Sequence, residues 1–232
     1  MLKVAIITGA GRGIGRALAL GLVRDGFRVA GVARTSSELK SLEKECNELS
    51  PSSIYISNLD VSDREAVKKF LEDVANRWGR VDVLVNNAGI SRRGTSKVSY
   101  KDFKSMLDIN LIGAFNFIQG VTPLMRRQKS GHIVNVSSIA GKTPFADTGA
   151  YSATKAALNA LTESLFKELA SEGISVSSIC PSWVDTAMAT ASGLSHKKMI
   201  QPEDILQAVR FLLSLTPAAI VPEIVIYCRS AI

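Results

Sequence analysis

The sequence predicts a single α/β domain in which a doubly wound parallel sheet lies between two layers of helices. Two observations lead to this fold class. Short, nearly continuous apolar runs, typical of strands buried on both faces, alternate with longer segments whose apolar residues recur at helical spacing. The first run, residues 4–7, continues through a glycine-rich turn, residues 8–15, into a helical pattern. Such alternation is the pattern of a parallel sheet with helical crossovers.

The turn after the first strand contains three glycines with separate tasks. Gly9 can take a backbone conformation closed to other residues, Gly13 lets a ligand approach the backbone, and Gly15 lets the helix pack tightly on the strand. Backbone N–H groups at the helix start then favour an anion, above all a dinucleotide pyrophosphate. A tight turn without a ligand is the alternative, but the strand before it and the helix after it favour a ligand site.

The second predicted strand, residues 28–33, ends where this fold selects its dinucleotide. An acidic residue there binds the ribose hydroxyls of NAD, whereas a basic residue accepts the 2′-phosphate of NADP. No acid is present, because Ala33 is followed by Arg34, and Arg12 lies inside the glycine turn. Two arginines with no neighbouring carboxylate favour NADP over NAD; the alternative is that either one is ordinary surface charge.

The next two helices are predicted to begin at capping-box spacings, residues 35–38 and 62–65, with a strand at residues 53–57 between them. Asp60 follows that strand on the ligand side of the sheet. Its carboxylate could accept a hydrogen bond from an adenine amino group, or it could stabilise the start of the next helix. The sequence leaves both interpretations open.

The fourth predicted strand, residues 81–85, closes in a turn at residues 86–89. Its small and amide side chains suit a segment packed beside a cofactor, or an ordinary Asn/Gly turn. A long helical pattern runs over residues 100–127, with Asn110 among its apolar positions. Asparagine has a low helix propensity and is costly when buried without partners, so a buried polar network or a functional role would account for it.

The fifth strand, residues 132–137, ends at Ser138, and the following helix carries Tyr151 and Lys155. Residues four apart lie on one helical face, so the phenol and the ammonium can share a site. A free tyrosine has a pKa of about 10, and we expect the adjacent cation to lower this pKa toward working pH. Tyr151 would then be a proton donor and acceptor. Two unrelated surface residues are the alternative for this common spacing.

The last predicted elements are a strand at residues 174–180, a loop to about residue 199, a helix that begins at Pro202 and a strand at residues 223–227. The loop has an apolar side, which fits either a lid over a substrate or a packed connection. The residues of that side are Trp183, Met188, Leu194 and Met199.

Composition narrows the class of protein. The 232 residues suit one domain, and the net charge of +7 comes from dispersed basic residues, which favours anionic small molecules or an acidic carrier protein over nucleic acid. We expect a cytoplasmic protein without a membrane span or signal peptide, since residues 1–3 lead directly into the first strand. Three scattered cysteines in apolar surroundings and two histidines, His132 in a strand and His196 on a loop surface, predict neither disulfides nor a metal.

Together these motifs resemble the short-chain dehydrogenase/reductase family over essentially the whole chain. The resemblance rests on residues 8–15, Asp60, residues 86–89, Asn110, Ser138, Tyr151 and Lys155. It implies seven parallel strands, a site above their carboxyl ends and NAD(P)-dependent hydride transfer. Two positions depart from the family pattern: Pro181-Ser182 stands in place of Pro-Gly, and no Asp-Gly-Gly follows the last strand.

The resemblance also implies catalytic roles for four residues. Tyr151 protonates the alkoxide formed during reduction, and Lys155 lowers the tyrosine pKa and holds the nicotinamide ribose. Ser138, rather than Ser137, hydrogen-bonds the substrate oxygen. Asn110 holds a water that links Lys155 to solvent.

The same resemblance implies a set of residues that bind NADP(H), among which Arg12 and Arg34 match the NADP-selective pattern and Thr186 contacts the carboxamide. The complete set is Gly9, Arg12, Gly13, Ile14, Gly15, Arg34, Asp60, Val61, Asn87, Ala88, Gly89, Tyr151, Lys155, Pro181, Val184 and Thr186.

The branch of the family with the nearest overall likeness is that of the 3-oxoacyl carrier-protein reductases. It implies reduction of an acyl-thioester carbonyl to a secondary alcohol, an acyl carrier protein as partner, and a homo-oligomer, either tetramer or dimer. Lys129 lies near one basic contact of that branch, whereas Glu168 and Glu172 occupy the place of a second. The alternatives are reduction of small diketones, sugars or other free carbonyls, and a catalytically silent NADP-binding regulator.

Overall fold

A computed structural model describes residues 2–231 and contains seven strands. They are β1 Val4–Thr8, β2 Arg28–Ala33, β3 Ile54–Asn58, β4 Val83–Asn86, β5 Gly131–Val136, β6 Ile174–Pro181 and β7 Glu223–Ile226. All pair in parallel, in the order β3-β2-β1-β4-β5-β6-β7. Met1 and Ile232, which belong to the expectations about the two ends of the chain, lie outside the described residues.

Helices cover both faces of the sheet, which confirms the predicted fold class. They are α1 Gly13–Arg24, α2 Ser36–Leu49, α3 Arg64–Trp78, α4 Tyr100–Leu107, α5 Gly113–Gln128, α6 Gly149–Leu169 and α7 Pro202–Ser214. One apolar core joins the sheet to α1, α2 and α7, and a second joins it to α3, α5 and the end of α6. The central strands β1 and β4 are almost wholly apolar because both of their faces are covered. Between residues 2 and 231, no helix combines the length and apolar character needed to cross a membrane.

The sheet order fixes the place of the site. Successive strands are added outward from β1 through β2 to β3, and from β4 through β5 and β6 to β7. The crossovers therefore diverge between β1 and β4, and a crevice forms above the carboxyl ends of these two strands. The glycine-rich turn follows β1, and the turn that begins at Asn87 follows β4.

Both predicted capping boxes are wrong in detail. Thr35 precedes α2, but its side chain makes no capping hydrogen bond. The cap of α3 is Asp63, whose carboxylate accepts from the backbone N–H of Ala66 at 3.0 Å. Ser62 precedes this cap by one residue, and its hydroxyl is hydrogen-bonded to Asp60 at 2.7 Å instead of capping the helix. A carboxylate is at least as good a cap as a hydroxyl, so the spacing alone could not decide between the neighbours.

The helix predicted over residues 100–127 is present, but it is not α-helical throughout. It consists of α4 and α5 joined by one π-helical turn, Asp108–Ile112, in which the backbone N–H of Gly113 donates to the carbonyl of Asp108. Asn110 lies inside this turn and is buried. A π-helical turn widens the helix and often occurs at functional sites. The apolar periodicity of the sequence does not reveal the π-helical turn, because one extra residue leaves most of the pattern intact.

The expectation of apolar surroundings for the cysteines fails at Cys180. Cys46, Cys180 and Cys228 are all buried and free. The Cys180 sulfur nevertheless lies within hydrogen-bonding range of Asn159 Oδ1 (3.7 Å) and Glu223 Oε2 (3.6 Å). Cys180 belongs to a strand end that lies beside α6 and the start of β7, where polar side chains gather.

The loop after β6 combines the two interpretations that the sequence left open. Leu194 packs on the core and Met199 is buried, as in a packed connection. Trp183 and Met188 instead remain 37% and 48% exposed. The outward pair therefore leaves an apolar surface beside the carboxyl ends of the strands.

Candidate active site

The crevice between β1 and β4 is held together by the hydroxyl of Thr8. It accepts from the backbone N–H groups of Asn87 and Ala88, both at 2.9 Å. The Asn87 side chain donates back to the carbonyls of Thr8 (2.9 Å) and Gly9 (3.3 Å). These hydrogen bonds join the glycine turn to the turn after β4, as expected for turns that pack beside a cofactor.

The glycine turn has the geometry of an anion cradle. Gly9 and Gly13 have φ angles of +67° and +54°, which favour glycine. Gly15 has no room for a side chain, because a Cβ there would overlap the carbonyl of Gly9. At the start of α1, Arg12 makes no side-chain cap and the first turn holds no acid. The first N–H groups of α1, including that of Ile14, are therefore available to an anion.

The two predicted phosphate-binding arginines do have acidic neighbours, which corrects the expectation. Arg12 Nη1 lies 3.8 Å from Glu38 Oε1, and Arg34 Nη1 lies 3.7 Å from Asp60 Oδ2. The helical turn of α2 and the end of β3 bring these acids to the arginines, although both are distant from them in sequence. The two arginine side chains remain 73% and 59% exposed, so these loose pairs leave donors for a phosphate.

The Asp60 carboxylate is hydrogen-bonded to the segment that leads into α3. Its Oδ1 accepts from the backbone N–H of Ser62 at 2.9 Å and from the Ser62 hydroxyl. Burial alone would raise the pKa of Asp60, but these hydrogen bonds and the Arg34 charge outweigh it and hold the pKa below its ordinary value. Asp60 thus supports the chain just before α3, and the buried Val61 follows it under α5. The alternative, an adenine contact, stays a prediction.

Ser138, Tyr151 and Lys155 converge above β5. Ser138 lies two residues beyond the end of β5, and its Oγ accepts from the backbone N–H of Ala140 at 3.1 Å. Tyr151 lies in the first turn of α6, and Lys155 Nζ lies 5.9 Å from the centre of its ring. Ser137 is different, because its hydroxyl is buried against the Lys155 carbonyl. Of the two serines, Ser138 is therefore the one whose hydroxyl can face a ligand beside Tyr151.

The pKa of Tyr151 does not follow the sequence-based expectation. Burial raises it to about 12, and the nearby Ser138 hydroxyl opposes this only in part. Burial also lowers the pKa of Lys155 to about 8. The lysine ammonium donates to the Val136 carbonyl at 2.8 Å instead of contacting the phenol. Desolvation is therefore the largest influence on both groups, and Tyr151 is a protonated phenol at neutral pH.

Three hydrogen bonds of its side chain explain why Asn110 can be buried. Its Oδ1 accepts from the N–H of Ile90 at 2.8 Å, and its Nδ2 donates to the Ile90 carbonyl (2.9 Å) and to Thr154 Oγ1 (3.0 Å). The π-helical turn thereby connects the turn after β4 to α6. Both N–H groups of the side chain are used, so a water held by Asn110 would have to donate to its backbone carbonyl or to the second lone pair of Oδ1. The water-holding role stays a prediction.

The remaining predicted residues line the same crevice. A Cβ on Gly89 would lie 3.7 Å from Lys155 Nζ, and one on Gly13 would lie 3.0 Å from Thr186 Cγ2. Pro181 ends β6 and, with the buried Val184, leads to Thr186. The loop after β6 therefore reaches back over the glycine turn, as a segment in contact with a dinucleotide must.

Three residues of the site escaped the sequence analysis. Thr154 links Asn110 to the Tyr151 carbonyl through its hydroxyl. Gly141 touches α6 so closely that a Cβ would lie 2.7 Å from the Lys155 carbonyl carbon. Thr95 hydrogen-bonds the start of α6 from the loop after β4. Thr154 lies between Tyr151 and Lys155 and could have been suspected, but nothing local distinguishes Thr95.

Comparison with known proteins decides the family. Residues 3–196 match the model of the short chain dehydrogenase family. The chain belongs to the short-chain dehydrogenase family. An uncharacterised oxidoreductase of Staphylococcus aureus (strain MW2) is 36% identical over 227 residues, which cover 97% of this chain and 96% of that protein. By family, this short-chain dehydrogenase is an oxidoreductase, and the resemblance inferred from the sequence is confirmed.

Solved structures share the fold over the full length of this short-chain dehydrogenase. A β-ketoacyl-[ACP] reductase from Bacteroides thetaiotaomicron is 36% identical, with a TM-score of 0.88 and coverage of 100% of this chain and 99% of that one. An alcohol dehydrogenase from the archaeon Thermococcus sibiricus, complexed with 5-hydroxy-NADP, is 31% identical, with a TM-score of 0.91 and coverage of 99% and 97%.

The crevice of this short-chain dehydrogenase fits a dinucleotide. It has the helix start without an acid, the side-chain-free cradle at Gly9 and Gly15, and two exposed guanidinium groups beside the end of β2. Within residues 2–231, no group of three or more His, Cys, Asp or Glu side chains is placed to hold a metal ion.

Proposed function

We propose that the chain is an NADPH-dependent reductase that converts a carbonyl to a secondary alcohol. The observation that carries the proposal is the convergence of Ser138, Tyr151 and Lys155 beside the glycine cradle. A bound nicotinamide cofactor supplies the hydride in such chemistry, while the protein orients the reactants and provides the proton.

Proton delivery is assigned to Tyr151. With a pKa raised to about 12, the phenol keeps its proton at neutral pH and can donate it to an alkoxide oxygen. Lys155 is 5.9 Å from the ring centre and can stabilise the resulting phenolate when it is charged. The low pKa of Lys155, about 8, makes that support dependent on pH.

Substrate orientation is assigned to Ser138. The N–H of Ala140 occupies one lone pair of its hydroxyl oxygen and so fixes the side chain. The hydroxyl makes a long contact, 3.5 Å, to the Pro181 carbonyl and hydrogen-bonds the Tyr151 phenol, the group beside which a substrate oxygen would lie. It can therefore turn to a substrate oxygen that binds there.

The choice of NADPH rests on Arg12 and Arg34. Both are exposed arginines at the end of β2 and the start of α1, where a 2′-phosphate would lie. A phosphate dianion would compete well with Glu38 and Asp60, because each present ion pair is longer than 3.5 Å and solvent-exposed. The structural relative that holds an NADP analogue supports the same choice.

The surface near the site favours a substrate with an apolar portion, such as a 3-oxoacyl thioester. Phe145, Trp183 and Met188 are 46%, 37% and 48% exposed in loops that follow β5 and β6. An acyl chain can cover more of this surface with apolar atoms than a sugar can. A free thioester is favoured over a carrier protein docked near Lys129, because Arg126 is neutralised by Glu168 and Glu172 at 3.0 and 2.7 Å.

The proposal is tested by following NADPH and NADH consumption in parallel with three substrates: a 3-oxoacyl thioester, a small apolar diketone and a ketose. We expect turnover with NADPH, at least tenfold faster than with NADH, and highest activity on the thioester or the diketone. Turnover with neither cofactor, while NADPH still binds, would refute the reductase and favour an NADP-binding regulator. Activity on the ketose alone would refute the substrate class.

A further inference from the structure

The helix that carries Tyr151 is capped from outside its own segment. Thr148 precedes α6, but its side chain makes no capping hydrogen bond. Instead the backbone N–H of Gly149, the first residue of α6, donates to Oγ1 of Thr95 at 2.9 Å. Thr95 is 54 residues away, in the loop between β4 and α4. A helix start leaves its first N–H groups unpaired, and here a distant hydroxyl satisfies one of them.

The same hydroxyl also holds the loop that leads from Ser138 to α6. Thr95 Oγ1 donates to the carbonyl of Ala146 at 2.5 Å. Beside it, the N–H of Gly94 donates to the Asp147 carbonyl at 2.6 Å. We call the contacts of Gly94 and Thr95 with residues 146–149 the Thr95 clasp. It joins the loop after β4 to the loop after β5, which leads from Ser138 to α6.

The clasp is a fitted contact rather than a chance surface encounter. Gly149 has no side chain, and a Cβ there would lie 2.6 Å from both Oγ1 and Cγ2 of Thr95. The hydroxyl acts at once as donor and acceptor, which no apolar side chain of the same shape can do. Thr95 itself is exposed, so burial of apolar surface does not explain its position.

We propose that Thr95 is a positioning residue, which fixes the first turn of α6 and through it the Tyr151 hydroxyl relative to Ser138. This inference rests on the proposed reductase function. Tyr151 is the third residue of α6, and Ser138 begins the loop whose far end the clasp holds. A small displacement of a reacting group can slow turnover by up to about 100-fold, so an anchor at this point acts on kcat rather than on cofactor binding.

The test compares Thr95→Val, which keeps the shape, with Thr95→Ser, which keeps the hydroxyl. We expect Thr95→Val to lower kcat by about tenfold or more and to leave the NADPH KM within about twofold, while Thr95→Ser retains kcat within about threefold. Gly149→Ala should resemble Thr95→Val, since its methyl displaces the hydroxyl. Thr143→Val, an exposed threonine of the neighbouring loop, is the matched control and should change nothing.

A second readout does not depend on turnover. Amide hydrogen exchange in residues 149–152 should accelerate about tenfold in Thr95→Val and stay near the wild-type rate in Thr95→Ser. Equal kcat for the Val and Ser variants, or unchanged exchange in Thr95→Val, would overturn the proposal while leaving the reductase intact. A wild-type protein without turnover would refute the reductase, and exchange would still decide whether Thr95 holds the start of α6.

Discussion

At the scale of single residues, the two ionisable groups of α6 have pKa values shifted in opposite directions by the same cause. Burial disfavours charge, so it raises the pKa of Tyr151 to about 12 and lowers that of Lys155 to about 8. Below about pH 8, Tyr151 is therefore a neutral phenol and Lys155 a charged ammonium. This is the combination that reduction needs, because the phenol gives a proton and the cation stabilises the phenolate left behind.

The sign of the pH dependence follows from Lys155. Tyr151 stays protonated throughout the working range, whereas Lys155 is charged below about pH 8 and neutral above it. We therefore expect kcat/KM for reduction to be level below this pKa and to fall as pH rises through it, by up to about tenfold per unit.

Lys155→Arg provides the control for this profile, since a guanidinium keeps its charge to a pH above about 12. Its maximal rate should be lower, but the decline near pH 8 should be absent. A wild-type profile that stays level to about pH 9.5, or the same decline in the arginine variant, would show that Lys155 ionisation does not control the reaction.

A second prediction about a single residue concerns Arg34 and the 2′-phosphate of NADPH. Arg34→Ala should raise the NADPH KM by about tenfold, corresponding to about 1.4 kcal/mol, and change the NADH KM by less than about twofold. Arg24→Ala removes the same charge at the far end of α1 and is the control. Equal losses for the two cofactors would remove Arg34 from 2′-phosphate recognition.

At the scale of elements, the glycine turn and the turn after β4 depend on each other. A Cβ on Gly9 would lie 3.0 Å from both Ala88 Cα and Asn87 Nδ2. Gly79, at the end of α3, has a similar φ of +71° but nothing within 4 Å of a Cβ. Both glycines therefore have a positive φ, but only Gly9 lies in close contact with another segment of the chain.

Alanine substitutions separate these two effects. Both Gly9→Ala and Gly79→Ala should cost about 1 kcal/mol of unfolding free energy for the positive φ. Gly9→Ala should cost a further 1–2 kcal/mol, roughly, for the displaced turn, and should also weaken NADPH binding. Denaturant unfolding and cofactor titration measure both quantities. Equal destabilisation with unchanged NADPH affinity would mean that the close approach has no role.

The sequence predicted elements far better than their junctions. Buried apolar runs placed every strand within about two residues, because strands covered on both faces leave a strong local signal. The π-helical turn around Asn110 and the cap at Asp63 were missed, since each depends on one hydrogen bond rather than on periodicity. The acids beside Arg12 and Arg34 and the contact of Thr95 were missed because they arise only when distant segments meet.

At the scale of the whole molecule, one sheet belongs to two cores. Leu22 of α1 is buried on one face and Phe117 of α5 on the other, and both cores include strands β1 and β4. Loss of packing on either face should therefore weaken the same cooperative unit, which is the structural meaning of a single domain.

Leu22→Ala should cost about 2–5 kcal/mol and Phe117→Ala about 3–5 kcal/mol. Each should lower the midpoint of one common thermal transition, seen equally by circular dichroism and by tryptophan fluorescence. Leu49→Ala, at a position that is 43% exposed, is the control and should cost less than about 1 kcal/mol. Two separated transitions in either core variant would contradict the single domain.

The fold brings α6 to the crevice, and the proposed reaction takes its proton from Tyr151. The most direct test is the rate of NADPH-dependent carbonyl reduction by Tyr151→Phe, with Tyr100→Phe, an 81% exposed tyrosine, as the matched control. We predict that Tyr151→Phe lowers kcat by about 10²–10⁴-fold with NADPH binding within about twofold, while Tyr100→Phe remains fully active. Retained turnover in Tyr151→Phe would contradict the assignment of Tyr151 as the proton donor.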